Sequence, residues 1–219
     1  MDQDLGRFEN LERIIARLRA PDGCPWDREQ THATLKPFLI EESYEVLQAL
    51  DDENSEKLCE ELGDLLLQIL LHAQISREAG EFDMADVTRG IATKLIRRHP
   101  HVFGDWKVKD VDQVWANWEK IKRAEKHGTH RARPSALDGI PKHLPALQRA
   151  EKLIKKARKA RLLRDTPTPP GPNTRSQVAR QLLALARYAQ TQGWSAEDLL
   201  RQETRRFEAG LRRRERTRR

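Results

Sequence analysis

The fold is decided by the stretch from residue 41 to residue 64, EESYEVLQALDDENSEKLCEELGD. It holds ten carboxylates and a single base, Lys57, which gives a net charge of −9. Helix-forming sequence lies on both sides of a short turn around Asp52 to Ser55. The stretch therefore predicts two antiparallel helices that bring many carboxylates close together.

The acidic residues of this hairpin fall into two pairs with helical spacing. Glu42 and Glu45 are three residues apart, as are Glu61 and Asp64, so each pair shares one face of its helix. Four carboxylates converging from two helices form an all-oxygen site, which suits Mg²⁺ or Mn²⁺ rather than zinc. The spacing thus predicts a metal site of Glu42, Glu45, Glu61 and Asp64.

The alternative interpretation is a solvated acidic face, since Glu and Asp usually lie outside a protein. For the second acidic helix alone this alternative is attractive, because Glu61, Asp64, Gln68 and His72 form one polar stripe. The first acidic helix favours the metal site. There Glu42 interrupts an apolar stripe, and a buried carboxylate is costly unless it is paired or binds a metal.

The rest of the chain also has the apolar periodicity of helices, and no segment alternates β-branched residues. We therefore expect an all-α protein. In the helix that begins near Met84, Val87, Ile91 and Leu95 are expected to point inward. The predicted helices cover approximately residues 5–20, 33–51, 55–79, 84–98, 110–126, 144–163, 175–192 and 195–216.

Composition restricts the class of protein. The 219 residues carry a formal charge of +7, and the two cysteines form no disulfide framework, so we expect a reducing compartment and a cytoplasmic protein. The most apolar run, Leu65 to Leu71, is too short to span a membrane. Nine arginines lie between Arg201 and Arg219 with three glutamates. They favour a solvated surface, with nucleic-acid binding as the alternative.

A basic trio follows the acidic hairpin. Lys94, Arg97 and Arg98 fall on one face at the end of a predicted helix, where cations also complement the helix dipole. Opposite a metal held by carboxylates, such a trio would suit a polyphosphate. Trp26 is a candidate for stacking on a base and Trp118 for lining the substrate pocket, although both types of residue are common in protein cores.

The last two predicted helices, 175–192 and 195–216, look like a worn copy of the third and fourth, 55–79 and 84–98, and a proline-rich linker replaces the counterpart of the second. QLLALARYAQ aligns with LLLQILLHAQ when Arg180 is placed on Asp64, and Gln177 then replaces Glu61. The acids are lost in this copy, so we expect it to be structural. The predicted domains are residues 1–128, a connector at 129–143, and a degenerate second helical repeat at 144–219.

Five motifs occur in an order that resembles the MazG nucleoside triphosphate pyrophosphohydrolases, and together they cover residues 18–126. The motifs are GCPWDREQTH (23–32), LIEESYEV (39–46), EELGDLLLQILLHA (60–73), KLIRRHPHVFGD (94–105) and WEKIKRAEK (118–126). The C-terminal part resembles the second repeat of two-repeat members. It departs from the family pattern because both acidic motifs are absent there.

The resemblance implies an all-α pyrophosphatase fold that works as a homodimer of helical bundles. It implies that Glu42, Glu45, Glu61 and Asp64 bind Mg²⁺. It further implies that a nucleoside triphosphate is cut between its α and β phosphates, giving a monophosphate and pyrophosphate. A carboxylate such as Glu41 or Glu45 would take the proton of the attacking water. The implied nucleotide contacts are Lys94, Arg97, Arg98, Trp118 and Lys122, with Trp26 as a further candidate.

Two other hypotheses stay open. The chain could be a non-catalytic regulator that binds a nucleotide, nucleic acid or an acidic partner through its basic C-terminal helices, with binding that is sensitive to salt. It could also be a pyrophosphohydrolase with one dedicated substrate.

Overall fold

The computed structural model describes residues 4–125, 135–163 and 174–217. These residues form ten helices and no strand, which confirms the predicted all-α class. The helices are α1 Phe8–Leu18, α2 Pro25–Glu29, α3 Lys36–Asp51, α4 Ser55–Glu78, α5 Met84–Arg98, α6 Pro100–Phe103, α7 Val111–Ala124, α8 Ala146–Lys159, α9 Arg175–Thr191 and α10 Ala196–Arg216.

The chain divides into two compact units, Met1–Ile121 and Lys122–Arg219. The predicted boundary at residue 128 and the start of the connector lie outside the described residues, as does most of the proline-rich segment before α9. The assignment of the second unit as a degenerate repeat stays a prediction.

The first unit is built on the hairpin of α3 and α4. The Asn54 side chain caps α4 by accepting a hydrogen bond from the backbone N–H of Lys57 at 3.0 Å. Helix α1 also packs on α4. The core is formed by four buried residues, Ile15, Leu35, Leu70 and Leu71. The sequence predicted this hairpin and its turn correctly.

Helix α5 follows a turn at Gly80, whose φ of +70° is a conformation that favours glycine. Asp83 and Asp86 form a reciprocal capping box at its start. The expected inward direction of Val87, Ile91 and Leu95 is wrong for the single chain. These side chains are 36%, 46% and 47% exposed, so α5 presents an apolar face to its surroundings.

Two short helices were missed in the sequence. Helices α2 and α6 begin at Pro25 and Pro100, and neither is among the helices predicted above. Proline is favourable in the first turn of a helix, because its missing N–H would have no intrahelical partner there. The small helix α2 carries Trp26, so it positions one of the predicted substrate residues.

The second unit packs α10 on α8, with α9 against α10. Its core cluster consists of Leu137, Leu153, Ala157, Leu162 and Leu211. Helix α9 is largely exposed, and Ala189 is its buried residue. The described residues contain no helix that is long and apolar enough to cross a membrane. Cys24 and Cys59 are both free thiols.

Candidate metal and nucleotide site

Three of the four predicted metal ligands meet between α3 and α4. Glu42, Glu45 and Glu61 each contribute a carboxylate oxygen, and these oxygens all lie within 4.8 Å of one another. The turn after Asp52 explains the meeting, because Glu45 and Glu61 both lie eight residues from Glu53 along the hairpin. We call these three residues the acid cluster. Its donors are hard oxygen atoms, which is the ligand set that Mg²⁺ and Mn²⁺ prefer.

Burial and repulsion between the carboxylates disfavour the ionised form of the acid cluster. Burial and the neighbouring charges of Asp64 and Glu45 raise the pKa of Glu42 above its ordinary value. Burial and the charge of Glu45 raise the pKa of Glu61, although Lys57 opposes this shift. Carboxylates that repel one another in a half-buried site favour either a proton or a cation. The cluster therefore has the chemistry of a cation site.

The other two predicted acids lie beside the cluster. Asp64 is not one of the three converging carboxylates, but its charge acts on the pKa values of Glu42 and Glu61. It is one helical turn from Glu61, on the same face of α4. Glu41 is exposed on α3 and does not belong to the three converging carboxylates. The structure thus places Glu45, rather than Glu41, among the candidate ligands.

The polar stripe of α4 continues beyond the acids. A solvated face would leave its side chains exposed, but two of them are buried. Glu61 and Gln68 are only 8% and 5% exposed. Gln68 Oε1 is buried and has no hydrogen-bond partner among the described residues. His72, one turn further, is hydrogen-bonded to His32 from the segment before α3. Glu61 and Gln68 are therefore withdrawn from water, and the segment before α3 covers the stripe at His72.

The structure brings together two of the predicted nucleotide contacts. The guanidinium of Arg98, at the end of α5, lies 5.2 Å from the ring centroid of Trp118 on α7, which is a cation–π distance. Trp115 packs edge-on against Trp118, with ring centroids 5.9 Å apart. Lys94 is half-buried and Arg97 is exposed on the same part of α5. Lys122 lies on the last turn of α7 and is half-buried.

Trp26 is half-exposed on α2. It makes an edge contact with Phe38 of α3, with ring centroids 5.8 Å apart. Its indole is 51% exposed, so one side of the ring is held by the protein and the other is accessible. This arrangement is suited to stacking on a planar ligand.

Sequence reasoning missed the partner of His72. It interpreted His72 as a residue on a helix face, because His32 is forty positions away and no spacing rule connects the two. The available signal was the i, i+4 continuation from Asp64 through Gln68 to His72. That pattern marks a face that is covered, although it does not show by what.

The comparison with protein families agrees with this site. Residues 30–103 match the model of the MazG nucleotide pyrophosphohydrolase domain. The matched range contains α3, α4 and α5, and therefore the acid cluster, Asp64 and the basic trio.

Curated relatives match a longer part of the chain. The uncharacterized protein YabN of Bacillus subtilis is 55% identical over 148 residues, which are 68% of this chain and 30% of that protein. The nucleoside triphosphate pyrophosphohydrolase of Escherichia coli K12 is 48% identical over 153 residues, 69% of this chain and 57% of the relative. A third relative, the nucleoside triphosphate pyrophosphohydrolase/pyrophosphatase MazG of Thermotoga maritima, is 47% identical over 150 residues, 68% of this chain and 56% of the relative.

The chain covers less than two thirds of the length of each of these three relatives. The matched region nevertheless includes every element that forms the acid cluster. With an all-helical fold, a matching domain model and relatives at this identity, the chain belongs to the MazG family.

Proposed function

We propose that this protein hydrolyses (deoxy)nucleoside triphosphates to a nucleoside monophosphate and pyrophosphate, and so removes unwanted nucleotides from the cytoplasmic pool. The observation that carries the proposal is the meeting of three carboxylates within 4.8 Å on neighbouring helices. Two of the relatives described above are named as nucleoside triphosphate pyrophosphohydrolases. Both findings support an enzyme rather than a binding protein.

We further propose Mg²⁺ as the metal, with Mn²⁺ as a substitute. The residues fit such an ion, because the donors are all carboxylate oxygens and because burial and neighbouring carboxylate charges raise the pKa values of Glu42 and Glu61. Glu42, Glu45 and Glu61 would hold the ion, and Asp64 would complete the set. When bound, the ion neutralises phosphate charge and makes a bound water more acidic.

The basic and aromatic residues would orient the substrate. Glu61 and Asp64 lie in the half of α4 that is remote from the turn at Gly80. The basic trio lies at the end of α5 that is remote from the same turn. Guanidinium groups pair with phosphate oxygens through parallel hydrogen bonds. Trp118 fixes the guanidinium of Arg98, while Lys122 and the accessible face of Trp26 provide further contacts to the nucleotide.

The reaction is a substitution at the α phosphorus. The oxygen of a water molecule bonds to that atom, the bond to the bridging oxygen breaks, and pyrophosphate leaves. A carboxylate of this chain accepts the proton of the water. Glu41 and Glu45 are the two candidates. Both side chains are exposed, but Glu45 belongs to the acid cluster and Glu41 does not.

We also propose that the protein is a homodimer through the first unit. Val87, Ile91 and Leu95 form an exposed apolar face on α5, and Ile40, Tyr44 and Leu47 form another on α3, each 53–57% exposed. The spacing of each set is that of one helix face. Apolar faces of this kind are typical of surfaces that another chain covers.

The basic C-terminus gives less support to the alternative of a nucleic-acid binder. Arg201, Arg206 and Arg212 form ion pairs with acids of the same unit, namely Glu197, Glu203, and Glu208 together with Asp138. An arginine whose charge is already paired in this way contributes less to phosphate binding. Binding of DNA or RNA that weakens steeply with salt and is lost on truncation before Arg201 would support this alternative.

The proposed reaction is tested with a panel of nucleoside triphosphates and Mg²⁺, by separating the products. Nucleoside monophosphate and pyrophosphate are expected in equal amounts, and a diphosphate with inorganic phosphate would contradict the proposal. Glu61→Gln should lower kcat at least about a hundredfold, an effect of about 3 kcal/mol on the barrier. Glu81→Gln removes the same charge from the exposed turn at the other end of α4 and should leave the rate unchanged.

A further inference from the structure

Two histidines join the segment before α3 to α4. His32 Nδ1 and His72 Nδ1 are 2.7 Å apart, the rings are tilted by only 14°, and their centroids are 5.0 Å apart. Rings stacked face to face would be separated by about 3.5 Å, so atoms 2.7 Å apart cannot belong to such a stack. The rings therefore meet edge to edge, and one Nδ1–H donates a hydrogen bond to the other Nδ1.

The contact extends to a third residue. The Nε2 atom of His32 lies 3.3 Å from the hydroxyl oxygen of Ser76, which is completely buried one turn beyond His72. Both ring nitrogens of His32 are therefore engaged, and the three side chains form a chain of hydrogen bonds. This chain requires at least one Nδ1 without a proton, because two imidazolium ions would present two N–H donors and two positive charges to each other.

The pair lies where it can affect the distance between α3 and the start of the acid cluster on α4. Counted from Glu53 at the turn, Glu45 and Glu61 are eight residues away, while His32 and His72 are about twenty residues away. The pair thus ties the open end of the hairpin, beyond the acid cluster. His32 is also close to α3 in sequence, and the backbone N–H of Leu35 donates to the carbonyl of Thr31 at 3.1 Å, so movement at His32 is passed to α3.

Repulsion within the acid cluster acts against this tie. The carboxylates of Glu42, Glu45 and Glu61 push α3 and α4 apart when no cation is bound. We propose that His32 and His72 form a pH-sensitive latch that holds α3 on α4 and thereby sets the spacing of the acid cluster for its metal. The latch deepens the proposed function and rests on it. Both histidines act as positioning residues, because they work through the helices and not on the substrate.

The charges around the latch favour its closed state at neutral pH. Burial and, second, the charge of His32 lower the pKa of His72. Among the described residues no other charged side chain contributes to that shift. Elsewhere on α4, Glu78 is paired with Arg19, which also donates hydrogen bonds to the backbone carbonyls of Asp27 and Gln30. The second proton is therefore disfavoured until the solution is acidic, and the latch opens there.

The latch itself is tested by NMR on the full chain after treatment with a chelator, so that no transition metal can bridge the rings. Nitrogen-15 spectra of the imidazoles should show one Nδ1–H shared between His32 and His72 at neutral pH. They should also show a coupled titration that Ser76→Ala alters. Two independent titrations with the ordinary pKa of about 6.5 would overturn the latch. This measurement needs neither substrate nor metal.

The positioning role is tested by Mg²⁺ affinity, measured by calorimetry at about pH 7.5 and at a pH below the coupled titration found by NMR, because the pKa of His72 lies below its ordinary value. His72→Asn keeps a hydrogen-bonding group near the place of Nδ1 and cannot titrate. His72→Leu removes the bond. At neutral pH we expect His72→Asn to bind Mg²⁺ like the wild type and His72→Leu to bind about tenfold more weakly, which corresponds to about 1.4 kcal/mol.

Acidification protonates carboxylates in every variant, so the comparison between variants isolates the latch. Between the two pH values the wild type should lose about tenfold more affinity for Mg²⁺ than His72→Asn, because only the wild-type latch opens in acid. His143→Asn, an exposed histidine of the second unit, should behave like the wild type. Equal acid sensitivity in wild type and His72→Asn would overturn the positioning role. If Mg²⁺ binds as expected and no triphosphate is hydrolysed, the latch stands and the proposed function fails.

Discussion

Arg19 and Glu78 form a bidentate ion pair that connects the end of α1 to the end of α4. The Nε atom of Arg19 lies 3.0 Å from Glu78 Oε1, and its Nη2 lies 2.7 Å from Oε2. The arginine side chain is only 6% exposed. Its third nitrogen binds the carbonyls of Asp27 and Gln30, so one guanidinium connects α1, α2 and α4.

Replacing this arginine should therefore destabilise the first unit. We expect Arg19→Ala to lower the free energy of unfolding by about 3 kcal/mol, because it leaves two carbonyls and a carboxylate without their donor. Unfolding in urea, followed by circular dichroism, measures the change. Arg17→Ala is the matched control, since its pair with Asp22 is 59% and 76% exposed and should contribute less than about 1 kcal/mol. Equal losses in the two variants would contradict the assigned role.

A pH dependence follows from the same pair. Hydrogen bonding from Arg19 holds the pKa of Glu78 below its ordinary value of 4.5. A carboxylate with a lowered pKa stabilises the folded state above its unfolded pKa, and this contribution is lost as the pH falls through the folded value. In acid, the difference in stability between wild type and Glu78→Gln should therefore disappear.

Gly23 makes a close approach that no side chain can replace. A Cβ atom at this position would lie 2.2 Å from the carbonyl oxygen of Leu18 and 2.6 Å from that of Arg17. These are backbone atoms at the end of α1, so they cannot move aside without disturbing the helix. We expect Gly23→Ala to cost about 2 kcal/mol in thermal or urea unfolding. By contrast, Gly63→Ala meets nothing within 4 Å in the middle of α4 and should stabilise the protein by about 0.5–1 kcal/mol.

The acid cluster was predictable from sequence because its causes are local. Helical spacing pairs Glu42 with Glu45, and a three-residue turn forces α4 back along α3, so Glu61 must lie nearby. The latch was not predictable in this way. His32 and His72 meet only because Leu35 and Leu71 pack in one core, and that packing depends on side chains from several helices.

The apolar face of α5 shows a different limit. The periodicity of Val87, Ile91 and Leu95 predicts that this face is covered, but it does not identify the covering surface. In the single chain the three side chains are exposed. The periodicity predicted an apolar face correctly, and the error lay in placing that face in the interior of the single chain.

That apolar face gives a prediction about assembly. If α5 joins two copies of the chain, Ile91→Glu should convert the dimer to a monomer of 25.4 kDa in light scattering after gel filtration, because it buries an unpaired charge in the contact. Thr93→Glu places the same charge on the opposite face of α5 and should leave the dimer intact. A wild-type protein that is already monomeric would refute the proposed homodimer.

The acid cluster predicts opposite effects of one substitution with and without metal. Burial, with the charges of Asp64 and Glu45, raises the pKa of Glu42, so the ionised group opposes folding when no cation is present. Stability of the metal-free protein should therefore decrease as the pH rises from the unfolded value of 4.5 through the raised folded value. Glu42→Gln should remove part of this decrease and make the metal-free protein more stable at neutral pH.

Magnesium should reverse that order. At a concentration about 100-fold above its dissociation constant, an ion that binds only the folded state adds about 2.7 kcal/mol. The wild type should gain this increment in thermal unfolding, and Glu42→Gln should gain little of it. A wild-type stability that is independent of Mg²⁺ at neutral pH would argue against the proposed metal site.

In the second unit, one carboxylate holds two arginines. Glu208 is paired with Arg149, whose side chain is 7% exposed, and with Arg212 at 2.7 Å. Arg212 also binds Asp138 at 2.8 Å. Burial would raise the pKa of Glu208, but hydrogen bonds from Arg212 and Arg149 outweigh it, so the pKa lies below its ordinary value.

Glu208→Gln should therefore destabilise the second unit by about 3 kcal/mol at neutral pH, because it leaves a buried guanidinium without its counter-charge. The stabilising effect of Glu208 is complete above the unfolded pKa of 4.5 and is lost as the pH falls through the lowered folded value, so the variant and the wild type should converge in acid. Glu203→Gln breaks a pair with Arg206 that is 67–78% exposed and should change stability by less than about 1 kcal/mol. Hydrogen exchange of amides in α8 and α10 localises the effect, since a loss confined to the second unit should leave α3 and α4 protected. Equal protection of α8 and α10 in Glu208→Gln and in the wild type would show that the paired carboxylate does not hold these helices together.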